Sequence, residues 1–71
     1  MNDTETVIAL SAMELCVLEA LSRGSLAKQV AKETGYATGT IKNIKYHLCI
    51  KFGVQNSTAL VAKAMRLGYI Q

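Results

Sequence analysis

Four glycines, Gly24, Gly35, Gly53 and Gly68, divide a proline-free chain into stretches too short for anything but brief elements. Within each stretch the apolar residues recur every three or four positions. Val17, Leu18 and Leu21 do so first, then Ile41, Ile44, Leu48 and Phe52, then Leu60, Ala64 and Leu67. That period belongs to helices with one buried face, and no run alternates as a strand would. At 71 residues, 51% of them apolar, the chain is one small domain with a modest core.

The helix ends can be placed from local chemistry. Ser11-Ala12-Met13-Glu14 reads as a capping box, the serine accepting from the Glu14 amide and the glutamate reaching back to the Ser11 amide. Helix 1 then covers about 12–22 and stops at Gly24, with Leu10, Val17, Leu18 and Leu21 turned inward. Ser25 is expected to cap helix 2, about 26–34, with Val30 and Ala31 inward and Gly35 at its end. Tyr36-Ala37-Thr38-Gly39 reads as a short turn, and Ala37 or Thr38 opens helix 3, about 39–52. Its inward face is Ile41, Ile44, Leu48 and Phe52. Asn56 or Ser57 caps helix 4, about 57–67, whose apolar face is Leu60, Ala64 and Leu67. Tyr69 and Ile70 are expected to fold back on its last turn. Residues 1–9 read as a flexible lead-in, with Val7, Ile8 and Ala9 able to pack back on a domain spanning 10–71. The fold class is therefore all-α, with four helices.

Charge separates the halves. Residues 1–33 hold three basic against five acidic side chains, net −2, whereas 34–71 hold Lys42, Lys45, Lys51, Lys63 and Arg66 and no acid, net +5. A carboxylate-free half attracts polyanions. No apolar run approaches the roughly 20 residues of a membrane span, and Met1–Thr6, acidic and polar, does not read as a signal peptide. Cys16 and Cys49 then fit free thiols in a reducing cytoplasm. Cys16, His47 and Cys49 are the only soft metal ligands, too few for a structural zinc site that wants four. No metal and no cofactor are expected. No carboxylate pair accompanies a nucleophile and no glycine loop cradles phosphate, so an enzyme is not expected either. An RNA partner has little to stack on beyond Tyr36 and Tyr46.

The informative unit is helix 2, a short turn beginning at Gly35, and helix 3. Two short helices so joined form a helix-turn-helix, whose second helix can enter a major groove. With Ile41, Ile44, Leu48 and Phe52 inward, Thr40, Lys42, Asn43, Lys45, Tyr46 and His47 face out. Asparagine can pair with adenine through two bonds, and lysine can donate to guanine. An ordinary amphipathic helix with a basic outer face has the same pattern, and spacing alone does not separate the two.

The ordered set of residues does more. Leu10-Ser11, Glu14, Val17-Leu18, Leu21, Gly24, Lys28-Gln29-Val30-Ala31, Gly35, Thr40-Ile41-Lys42, Leu48, Lys51-Phe52-Gly53-Val54, Asn56, Thr58 and Arg66-Leu67-Gly68-Tyr69-Ile70 run without a gap from Leu10 to Ile70. In that order they resemble the LuxR-type (GerE-like) helix-turn-helix domain. The resemblance implies a four-helix DNA-binding domain of bacterial transcription regulators, with helix 3 in the major groove and helix 4 supporting a homodimer. It places base contacts on Lys42, Asn43 and Tyr46, and phosphate contacts on Lys28, Thr40, Lys51, Asn56 and Thr58. Lys45 joins the phosphate group from the helical wheel, and Thr38, at the opening of the same helix, is grouped with it. The helix 4 positions for the dimer are Leu60, Ala64 and Leu67.

The sequence also departs from the family pattern. Ala37 stands where many members carry a capping serine, Gly39 where a charged residue is common, Ile44 where histidine is frequent, and Ser57 where arginine is frequent. Helix 1 carries Ala12, Met13, Leu15, Cys16 and Ala20 at positions usually polar, so it is apolar nearly all round. Such a helix is normally covered on more than one side. Met13, Leu15 and Cys16 thus become candidates for a dimer or partner surface. They motivate an alternative, a protein-interaction module of the same fold that binds another regulator or RNA polymerase and holds DNA weakly. Two readings stay open, a freestanding regulator and the C-terminal domain of a longer one, and the initiating Met and acidic lead-in lean toward the first.

Overall fold

The computed structural model describes residues 7–71, and local caps mark where its first and last helices begin. Ser11 Oγ accepts the Glu14 amide at 3.1 Å, and the Glu14 carboxylate accepts the Ser11 amide at 2.9 Å. That reciprocal box opens α1, Ala12–Ser22. Its end folds the chain back through a six-to-one bond, the Ser25 amide donating to the Ala20 carbonyl at 3.0 Å. Helix α2 is Ala27–Thr34, α3 is Thr38–Phe52 and α4 is Ser57–Arg66. No strand occurs among the described residues. The four-helix, all-α architecture expected above is the one present.

Three local expectations change. Ser25 does not cap α2, because its backbone is already engaged in closing α1. The N-cap is Leu26, which has no side-chain acceptor, and Gln29 supplies half a box by accepting the Leu26 amide at 2.7 Å. Thr38 and Gly39 belong to α3 rather than to the turn, which shrinks to Gly35–Ala37. Leu67 is the C-cap of α4 and is 49% exposed, outside the buried face that Leu60 and Ala64 form.

Helix α3 is the axis of the domain and packs against α1, α2 and α4. Its Ile41, Leu48 and Phe52 are fully buried, with Ile44 half-buried against the same core. Val17, Leu18 and Ala20 of α1, Val30 and Ala31 of α2, and Leu60 and Ala64 of α4 complete it. Truncating any of the large members to alanine costs about 2–5 kcal/mol. The last residues close the bottom. Ile70 is buried, and the Tyr69 ring meets Phe52 edge-on, centroids 5.4 Å apart at 79°. The Tyr69 hydroxyl accepts the Ile8 amide at 2.8 Å. Ile8 therefore packs back on the domain and Ala9 is held through its carbonyl by Lys51, whereas Val7, expected to pack with them, is 83% exposed. Residues 1–6 of the expected lead-in lie outside the described residues.

Candidate nucleic-acid interface

Gly35 makes the turn between α2 and α3 possible. Its φ of +81° lies in the left-handed region that glycine enters without a Cβ clash, and its amide donates to the Ala31 carbonyl at 2.9 Å. The two helices therefore meet at a fixed angle, with Val30, Ala31 and Ile41 buried in the common core.

The rest of α3 follows from its period. With Ile41, Leu48 and Phe52 inward, a rotation of about 100° per residue turns Lys42, Asn43 and Tyr46 the other way, and all three are exposed. His47 is exposed beside them, its ring edge-on to Tyr46 at 5.8 Å. Ala37, the N-cap of α3, has extended backbone angles, φ −67° and ψ 149°, but no side-chain oxygen. The first amides of the helix have no side-chain acceptor, and they carry the positive end of its dipole.

The expected phosphate contacts divide. Lys45 lines an open groove of about 530 Å³ together with Tyr46, Cys49, Ile50, Val54 and Asn56. Lys28, Thr40 and Thr58 are exposed on their own helices and Thr38 is half-buried, but none of them lines that groove. Asn56 spends its side-chain oxygen on α4, accepting the Ala59 amide at 2.8 Å. Lys51 is exposed but tied down. Its ammonium donates to the Glu14 carboxylate at 2.7 Å and to the Ala9 carbonyl at 2.9 Å, tying α3 to the start of α1. That hydrogen bond, with the one from the Ser11 backbone, holds the Glu14 carboxyl below its ordinary value of 4.5. Lys63 is engaged too, donating to the Phe52 carbonyl at the end of α3 at 2.7 Å. Of the five cations in the carboxylate-free half, Lys51 and Lys63 thus serve the fold, which leaves Lys42, Lys45 and Arg66.

The candidate interface residues also divide. Leu60 and Ala64 are 0% exposed, so they belong to the core of this chain and not to a docking surface. Met13 and Leu15 are half-buried and pack against the core, and Ala20 lies in it. Only Ala12 and Cys16 of the apolar positions on α1 are exposed. The apolar girth of α1 is used mainly inside the domain. Cys49 is half-buried, and desolvation pushes its thiol up against the opposing pull of Lys45, so it is a poor nucleophile. No group of three or more potential metal ligands occurs among the described residues. No helix among them is long and apolar enough to cross a membrane.

Sequence reasoning overlooked Ile50, an apolar side chain that is 58% exposed. Its signal was available, since it falls one turn after Tyr46 and off the Ile41, Ile44, Leu48, Phe52 series.

A family model described as bacterial regulatory proteins, luxR family, its domain named GerE, matches residues 8–64. No curated protein and no solved structure gives a significant match.

Proposed function

The chain belongs to the luxR family of bacterial regulatory proteins, a family of DNA-binding transcription regulators, and from that premise we propose that it reads a specific duplex sequence through α3 as a homodimer. The observation that carries this reading is the outer face of α3. It presents Lys42, Asn43 and Tyr46 to solvent in a half of the chain that has no acidic side chain.

The chemistry follows from the groups. The Asn43 amide can donate to and accept from one adenine edge, and Lys42 can donate to guanine O6 and N7. The Tyr46 hydroxyl can do either. Lys28, Lys45, Thr38, Thr40 and Thr58 would fix the register on phosphate, as would the Asn56 amide nitrogen, which capping leaves available. The uncapped first amides of α3 favour a phosphate oxygen for the same reason. Lys51 would join only by leaving Glu14 and Ala9. One short helix reaches only a few base pairs, so twofold pairing of half-sites about one helical turn apart multiplies the discrimination. Exposed Cys16 and Leu67, with the partly exposed Met13 and Leu15, remain the side chains that a copy could touch. The cytoplasm is the compartment where such a regulator meets its operator.

The test is a salt titration of binding to random duplex DNA, with mass measured by light scattering. A dimer with 6–10 phosphate contacts loses roughly 10³–10⁵ in affinity between 50 and 200 mM salt. A steep fall with a mass near twice 7.7 kDa supports the proposal. A flat response, or no binding at low salt, overturns it.

A further inference from the structure

Helix α3 carries one large, exposed aliphatic side chain to which the reading above gives no role. Ile50 is 58% exposed, one turn beyond Tyr46, itself 62% exposed. A single exposed isoleucine is ordinary on a surface. This one is not isolated, because with Tyr46, Cys49 and Val54 it forms the apolar part of the groove that Lys45 and Asn56 border.

Its place on the helix limits what it can meet. At a rise of 1.5 Å per residue, Ile50 lies about 12 Å along α3 from Lys42 and about 6 Å from Tyr46. At about 100° per residue Ile50 points out between the directions of Tyr46 and Asn43, so a helix that lies along the major groove and is seated by Lys42, Asn43 and Tyr46 turns Ile50 toward the same groove. A phosphate oxygen gains nothing from an aliphatic group. The floor of the major groove offers one apolar feature, the C5-methyl of thymine. Resting on the DNA-binding reading of α3, we infer that Ile50, with the flank of the Tyr46 ring, packs on a thymine methyl. It thereby specifies a T·A pair three or four base pairs from the one that Lys42 reads. The polar readers cannot set this position, because it lies past the last of them.

The test uses the intact chain and enriched operator duplexes from a randomised pool. Each thymine of the enriched site is replaced in turn by uracil, which removes only the methyl. One thymine per half-site is expected to show a loss of roughly fourfold, the effect of failing to bury one methyl. Ile50→Ala is expected to abolish that loss at the same thymine while leaving the preference set by Asn43 intact. The side chain is exposed, so this variant folds, and circular dichroism confirms it. A site indifferent to uracil throughout, or a methyl dependence unchanged in Ile50→Ala, overturns the inference while the DNA-binding reading stands. Failure to enrich any sequence overturns both.

Discussion

The N-terminus of α3 is the weakest point of the local design, and its repair can be predicted in magnitude. Ala37 already has N-cap backbone angles, φ −67° and ψ 149°, and its side chain is exposed. Replacing it by serine needs no backbone movement and loses no packing. The new hydroxyl would accept from the Gly39 or Thr40 amide, as Ser11 and Asn56 do at their own helices, at 3.1 and 2.8 Å. An N-cap of this kind contributes about 1 kcal/mol. In a domain of this size, 1 kcal/mol raises Tm by about 4–8 °C. Thermal and urea unfolding followed by far-ultraviolet circular dichroism are expected to show that rise, with the urea m-value unchanged. Ala37→Asp is expected to stabilise at least as much, since a carboxylate also favours the positive end of the helix dipole. It is also expected to weaken DNA binding, because the same carboxylate would face phosphate. The Thr40 amide already donates to the Ala37 carbonyl at 3.0 Å, so an Ala37→Ser Tm within about 1 °C of wild type would refute the argument by showing that the hydroxyl adds nothing to that bond.

Further outcomes follow from the same structure. Gly53→Ala is expected to destabilise by about 1–2 kcal/mol, since φ +70° is left-handed. Gly39→Ala, in helical backbone with nothing near its added Cβ, is expected to stabilise by about 0.5–1 kcal/mol, and urea midpoints separate the two. The lowered Glu14 carboxyl value means that the folded state takes up this proton later than the unfolded chain. Its contribution, under about 1 kcal/mol for so exposed a pair, is present above the ordinary value of 4.5 and lost as pH falls through the folded value. Glu14→Gln is expected to flatten the stability profile in that acid window. Asn43→Ala is expected to cost about 1–3 kcal/mol on one base pair only, whereas Lys45→Ala weakens all sequences alike and lowers the salt slope by about one, as binding titrations at several salt concentrations would read.

Much of this protein is legible without its tertiary structure. The Ser11–Glu14 box, the glycines that end helices and the spacing of Ile41, Ile44, Leu48 and Phe52 are local facts. Backbone geometry within a few residues turns them into helices with a defined outer face, so Lys42, Asn43 and Tyr46 emerge where the period places them. The N-cap of α2 was less legible. Ser25 has the right chemistry, but the closing bond of α1 claims its backbone first, and Leu26 takes the position.

What the period cannot say is whether a neighbour covers a given direction. Helix 1 looks apolar all round, yet only packing decides that Ala20 is core and that Met13 and Leu15 are half-covered, leaving Cys16 outside. The sequence counts Lys51 and Lys63 with the free cations. The fold brings Glu14 and the Ala9 carbonyl to one and the Phe52 carbonyl to the other, across 37, 42 and 11 residues of chain. Periodicity fixes the direction of a side chain from its own helix, because that direction is set by bonds and dihedrals nearby. Its partner is chosen by how the helices dock, which depends on contacts distant in sequence and is settled only when the core closes.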